Sequence, residues 1–143
     1  MNVRDNRTFF IGVDTEMTKM WGLGAVALLV ASISYFAAIK TLDFPEFHSV
    51  LWWEGFAALL VSVIAVQAYS NEGLLVSWTI AAAALIGVTA NYGGIGITES
   101  PPELVELAGL IAVGSLVGGL IFGTLGFAIG WMFRVTLSEA TNR

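Results

Sequence analysis

Three polar residues lie where they could bind or move an ion. Glu54 stands about one turn inside an apolar stretch, and Asn91 and Tyr92 end another one. Ionising a carboxylate inside a membrane is costly, so Glu54 is a candidate for binding a cation or relaying a proton together with Asn91. The alternative is structural: Glu54 reaches water or forms a hydrogen bond with Asn91 between two helices. The structural interpretation is the favoured one.

Other kinds of site lack the residues that they need. The chain has no cysteine, and its one histidine is His48, so neither a cysteine nor a histidine-cluster metal site is expected. No phosphate-binding loop and no arrangement of nucleophile, base and acid can be recognised. The net charge is -5 with only six Lys and Arg, which argues against nucleic acid as a partner. We therefore expect no catalytic residue, no cofactor and no enzyme activity.

The elements that must position these residues are apolar spans. Hydrophobic residues make up 57% of the chain and charged residues 12%, and the mean hydropathy is +0.81. Four stretches are long enough to cross a bilayer as helices, at about 20 residues each. They are predicted at about 20–39, 50–69, 74–91 and 104–133. This pattern predicts an all-α integral membrane four-helix bundle over 20–133, preceded by a polar tail (1–19) and followed by a short tail (134–143).

Basic residues predict the orientation of the bundle. Five of the six Lys and Arg residues lie before the first span or after the fourth. Lys40 alone falls in a connection on the opposite side. With four spans both termini share one side of the membrane, and the positive-inside rule makes that side cytoplasmic.

Small residues recur along the fourth span at spacings of four and three. On a helix they form one narrow stripe: Ala108, Ala112, Ser115, Gly119, Gly123, Gly126 and Gly130. Helices in lipid associate through close contact between such faces, and this period predicts left-handed packing at about 20°. The stripe is expected to be a helix-packing surface.

The other spans carry similar stripes. In the first they are Gly24, Ala27, Ala31, Ser34 and Ala38; in the second Glu54, Ala58, Val61, Ala65 and Ala68; in the third Ser77, Ala81, Ala84, Val88 and Asn91. The stripes are expected to face each other within one bundle. In a second interpretation, the glycine stripe of the fourth span faces another copy or another protein. The N-terminal tail, which alternates charged and apolar residues, is either a short amphipathic segment on the inner surface or a flexible arm.

The profile of the whole chain resembles that of small four-helix membrane proteins of haloarchaea. The shared traits are an acidic, lysine-poor composition, abundant Ala, Gly and Val, and no cysteine. It is also similar to the small envelope membrane proteins of haloarchaeal pleomorphic viruses. The resemblance implies a location in the cell membrane or a virion envelope, and it carries over no functional residue.

Taken together, these features predict a non-enzymatic multi-pass membrane protein that acts as a structural, assembly or accessory subunit. Its expected partners are the lipid bilayer and either further copies of itself or a larger membrane complex. The alternative function is a small oligomeric channel or transporter for a cation or proton, with Glu54 and Asn91 at its outer mouth.

Overall fold

The computed structural model describes residues 3–42, 53–92 and 102–141. Within these ranges the chain is helical apart from short links. The helices are α1 (Val3–Ile11), α2 (Thr15–Leu42), α3 (Trp53–Asn71), α4 (Leu74–Tyr92) and α5 (Leu104–Thr141). The prediction of an all-helical fold is confirmed for these residues.

Among the residues that the structure describes, three segments are long and apolar enough to cross a membrane: Arg7–Ala38, Leu74–Asn91 and Leu104–Ala140. They contain most of α2 and nearly all of α4 and α5. Helix α3, which carries the polar residues Glu54, Gln67 and Asn71, is not among them. The predicted second span, 50–69, also begins at residues that lie outside the described ranges.

Two helices extend more than two residues beyond the predicted spans. Helix α2 begins at Thr15, where the Asp14 carboxylate accepts hydrogen bonds from the backbone N–H groups of Glu16 (2.8 Å) and Met17 (3.3 Å). This is an N-cap, which satisfies backbone donors that lack a partner in the helix. Helix α5 continues to Thr141 instead of ending near 133, because no glycine or proline interrupts the chain there. The predicted tail from 134 is therefore helical through Thr141.

Helix α4 occupies the centre of the packing. It lies mainly against α2 and α5, while α3 packs mainly against α5 and α1 contacts α4. The largest buried cluster joins three helices and consists of Ala25, Leu60, Ile64, Val76, Ile80, Ala81, Ala83 and Ala84. Small residues on α4 allow its neighbours to approach closely, and larger residues such as Leu60 and Ile64 fill the space between α3 and α4.

Candidate functional site

The glycine stripe of α5 is buried over most of its length. Ser115, Gly119, Gly123, Gly126 and Gly130 are buried, whereas Ala108 and Ala112, nearer the start of the helix, are exposed. The stripe therefore divides into an uncovered part near the start of α5 and a longer, covered part.

The covered part first meets α4. A Cβ atom added at Gly123 would lie 2.6 Å from Cδ1 and 2.9 Å from Cα of Trp78, and one at Gly119 would lie 3.1 Å from Cβ of Ala82. The indole N–H of Trp78 also donates a hydrogen bond to the hydroxyl of Thr124 (3.0 Å). Backbones that approach this closely leave no room for a side chain, which explains glycine at these positions.

The same stripe then meets α3. A Cβ atom at Gly126 would lie 2.7 Å from side-chain atoms of Ile64, and one at Gly130 would collide with the carbonyl group of Ala65. From Gly119 to Gly130 the glycine face is thus covered by α4 and α3 of the same chain. None of these four glycines is left exposed on the surface of the chain.

The stripes of α4 and α2 differ in placement. On α4, Ser77, Ala81 and Ala84 are buried, and Val88 and Asn91 are partly buried. On α2 all five stripe residues are exposed: Gly24, Ala27, Ala31, Ser34 and Ala38. The expectation that every stripe faces the inside of the bundle is therefore wrong for α2. That helix packs through its opposite side, on which Ala25, Ser32 and Phe36 are buried.

Helices α2 and α4 cross where Ser32 meets Gly87. The Ser32 hydroxyl donates a hydrogen bond to the carbonyl oxygen of Ala84 (2.6 Å). A Cβ atom at Gly87 would collide with Ser32 and lie 2.7 Å from the backbone nitrogen of Ile33. Gly87 lies outside the stripe that was predicted for this helix, so stripe periodicity missed the contact that joins α2 to the core.

Glu54 lines a cavity of about 360 Å³ with Phe56, Ala57, Leu85 and Phe122. Its side chain is exposed, and the other four residues are apolar. The cavity lies between α3, α4 and α5. A carboxylate at the edge of this space can remain hydrated while its helix packs against lipid or protein.

Asn91 does not line the Glu54 cavity. Its amide nitrogen donates a hydrogen bond to the carbonyl oxygen of Gly87 in its own helix (2.9 Å). Since Gly87 faces α2 and Leu85 faces the Glu54 cavity, Asn91 and Glu54 lie on different sides of α4. Tyr92 ends α4, and its side chain lies outside the described residues, as does His48. The structure thus does not join Glu54 and Asn91 into one site.

The strongest polar cluster lies instead at the other end of the bundle, around Asn71. Its side chain is fully buried. The Asn71 amide oxygen accepts from the backbone N–H of Asp14 (2.8 Å), and its amide nitrogen donates to the hydroxyl of Thr18 (2.8 Å). Its carbonyl oxygen accepts from the backbone N–H of Val13 (2.9 Å). One asparagine therefore ties the start of α2 to the end of α3.

The turn from α3 to α4 completes this cluster. Glu72 and Gly73 both have positive φ, 53° and 76°. A Cβ atom at Gly73 would lie 2.9 Å from the carbonyl oxygen of Ile11, so glycine allows both the turn and the contact. Glu72 also pairs with Arg134 of α5, with 3.4 Å between Oε1 and Nε. No short motif in the sequence identifies this meeting of five helices.

Gln67 and Ser77 form a second polar contact close to this cluster. Both side chains are fully buried, and the Ser77 hydroxyl donates to the amide oxygen of Gln67 (2.7 Å). The amide nitrogen of Gln67 has no hydrogen-bond partner. A buried hydrogen bond of this kind joins α3 to α4 and fixes their register in an apolar surrounding.

Between the two ends the interior is filled with apolar side chains. Leu60, Ile64 and Ile80 are at most 3% exposed. No group of three or more His, Cys, Asp or Glu able to hold a metal ion occurs in the described part of the chain. A continuous polar path along the axis is therefore not present among the described residues.

Comparison with family models, with curated proteins and with solved structures finds no match for this chain.

Proposed function

We propose that this chain is a multi-pass membrane protein whose helices α2 to α5 all cross the bilayer as one bundle. Helix α3 has 19 residues, like α4, and both are about 28 Å long, close to the thickness of a hydrocarbon core. The distribution of Lys and Arg supports cytoplasmic termini. The chain belongs in a cell membrane or virion envelope, of the haloarchaeal type that its composition resembles.

The proposed role is structural: a non-enzymatic assembly or accessory subunit that works by joining other helices in the membrane. The observation that carries this proposal is the exposed stripe of α2. Its five small residues recur every three or four positions on the side of α2 that faces away from α4. A second helix can approach this face closely, because its largest side chain is that of serine. The partner that we propose is a second copy of the chain.

Native mass spectrometry of the protein in a mild detergent tests this role. Wild-type protein should give a defined oligomer. Ala31→Ile places a branched side chain on the stripe and should shift the population to monomer, because the partner backbone can no longer approach. Ala128→Ile, the same change at an exposed position of α5, is the matched control and should leave the oligomer intact. A wild-type monomer would contradict the proposal.

The alternative function is an oligomeric channel or transporter for a cation or proton. The Glu54 cavity is the observation that favours it, because an exposed carboxylate there borders space between three helices. Since Leu60, Ile64 and Ile80 fill the interior of the chain, a conducting path would have to run between copies. Measuring proton flux into liposomes that contain the protein tests this alternative function. Glu54→Gln should abolish the flux. Glu103→Gln should not, because Glu103 is an exposed acidic residue before α5. Absence of flux in the wild type excludes this function.

A further inference from the structure

Helix α1 is attached to the bundle and is not a free arm. The ring of Phe9 packs edge-to-face against Phe127 of α5, with 5.2 Å between the centroids. Gly12, at φ 116°, ends the helix, and its N–H donates to the carbonyl oxygen of Thr8 (2.9 Å). A Cβ atom at Gly12 would lie 2.5 Å from the amide nitrogen of Asn71. The end of α1 is thus held against the turn between α3 and α4.

This attachment leaves an apolar surface uncovered. Phe10, Ile11 and Val13 are 41%, 42% and 55% exposed. Each is large and apolar, and the three are consecutive except for Gly12. Exposing such side chains to water costs about 25 cal/mol for each Å² of apolar area, so an uncovered cluster marks a contact with lipid or protein.

The position of this surface along the bundle identifies what covers it. Helices α3 and α4 each span about one hydrocarbon thickness, so the turn that joins them at Glu72 and Gly73 lies at a membrane boundary. The carbonyl oxygen of Ile11 approaches Gly73, and Val13 is hydrogen-bonded to Asn71. The exposed side chains of Phe10, Ile11 and Val13 therefore lie at the level where lipid headgroups meet acyl chains.

We propose that α1 and its link to α2 form an interfacial anchor that inserts Phe10, Ile11 and Val13 into the lipid surface on the side of the termini. Arg7 is exposed on the same helix, and its guanidinium group suits the phosphates of lipid headgroups. An apolar face with a cationic neighbour is typical of helices that lie in the membrane interface. This inference rests on the proposed membrane location and adds a lipid-binding role for the N-terminal helix.

Spin labels on single cysteines test the anchor, because the chain has no cysteine of its own. Phe10→Cys and Val13→Cys are labelled with a nitroxide in liposomes of phosphatidylcholine and phosphatidylglycerol. Glu139→Cys, exposed on α5 more than one turn beyond the Arg134 that pairs with Glu72, is the control for water. Val30→Cys, on the exposed side of α2, is the control for lipid. Accessibility is measured to oxygen, which concentrates in lipid, and to a water-soluble nickel complex.

The expected ratio of oxygen to nickel accessibility at positions 10 and 13 is several-fold higher than at 139 and lower than at 30. A water-like ratio at 10 and 13 with a lipid-like ratio at 30 would overturn the anchor and leave the membrane location intact. Labels at 10 and 13 that neither reagent reaches would also overturn it, because protein would then cover the surface. A water-like ratio at 30 would contradict the membrane location itself.

Discussion

Helices α2 and α5 carry the same kind of small-residue stripe, and the structure places the two stripes oppositely. In α5 the stripe from Gly119 to Gly130 contacts α4 and α3, whereas in α2 the stripe from Gly24 to Ala38 is exposed. Helix α2 packs instead through the side that carries Ser32, whose hydroxyl donates a hydrogen bond to the Ala84 carbonyl oxygen of α4. A stripe of small residues thus marks where a backbone can approach, and the contacts of the rest of the helix decide which side is buried.

Of the substitutions that test this comparison, Gly123→Ile should destabilise the protein most. The branched side chain meets Trp78 at the closest approach of α5 to α4, and overpacking of this kind costs about 3 kcal/mol. Thermal unfolding in detergent should show a much lower midpoint. Gly109→Ile is the matched control, because a Cβ atom at Gly109 has no neighbour within 4 Å. Equal midpoints for the two variants would mean that the glycine stripe does not hold α5 in place.

Asn71→Ala should be the next most destabilising change. It removes the acceptor of Asp14 N–H and the donor to Thr18 in a fully buried place, which costs about 1–3 kcal/mol. Hydrogen exchange at the start of α2 should accelerate along with the lower unfolding midpoint. Asn91→Ala removes a hydrogen bond within α4, so we expect a smaller loss of stability. A larger loss of stability in Asn91→Ala than in Asn71→Ala would mean that the main polar cluster does not lie around Asn71.

Ser32→Ala tests the buried side of α2. Loss of the hydrogen bond to Ala84 should cost about 0.6 kcal/mol, the average for such bonds between membrane helices. Ser34→Ala lies on the exposed stripe and should leave the unfolding midpoint unchanged. If Ser34→Ala proves the more destabilising of the two, the two sides of α2 have been assigned the wrong way round.

Ala31→Ile should change the stability of the single chain little. The residue is exposed, and changes at such positions usually lie within about 0.5 kcal/mol. Its expected effect is on assembly alone. Thermal unfolding at a protein concentration low enough to give monomers separates the two effects, and a strong destabilisation there would mean that Ala31 packs within its own chain.

The sequence predicts the helical elements better than their contacts. Apolar length and the polar breaks between spans indicate α2, α4 and α5, because a membrane-spanning helix needs only enough consecutive apolar residues. The direction in which each stripe faces depends on pairs that are distant in sequence, such as Ser32 with Ala84 and Gly87. The contacts of Asn71 also join residues distant in sequence. No residue near Asn71 in the sequence predicts that Val13, Asp14 and Thr18 form hydrogen bonds with it.

Disulfide cross-linking at position 31 in membranes tests the central claim most directly. Two cysteines form a disulfide only when their Cα atoms lie within about 7 Å, so Ala31→Cys reports whether the α2 stripes of two copies meet. The predicted result is a cross-linked product with the mass of two chains for Ala31→Cys and none for Val26→Cys, which lies on another exposed side of α2. Absence of that product at 31, or equal cross-linking at both positions, would contradict assembly through the α2 stripe.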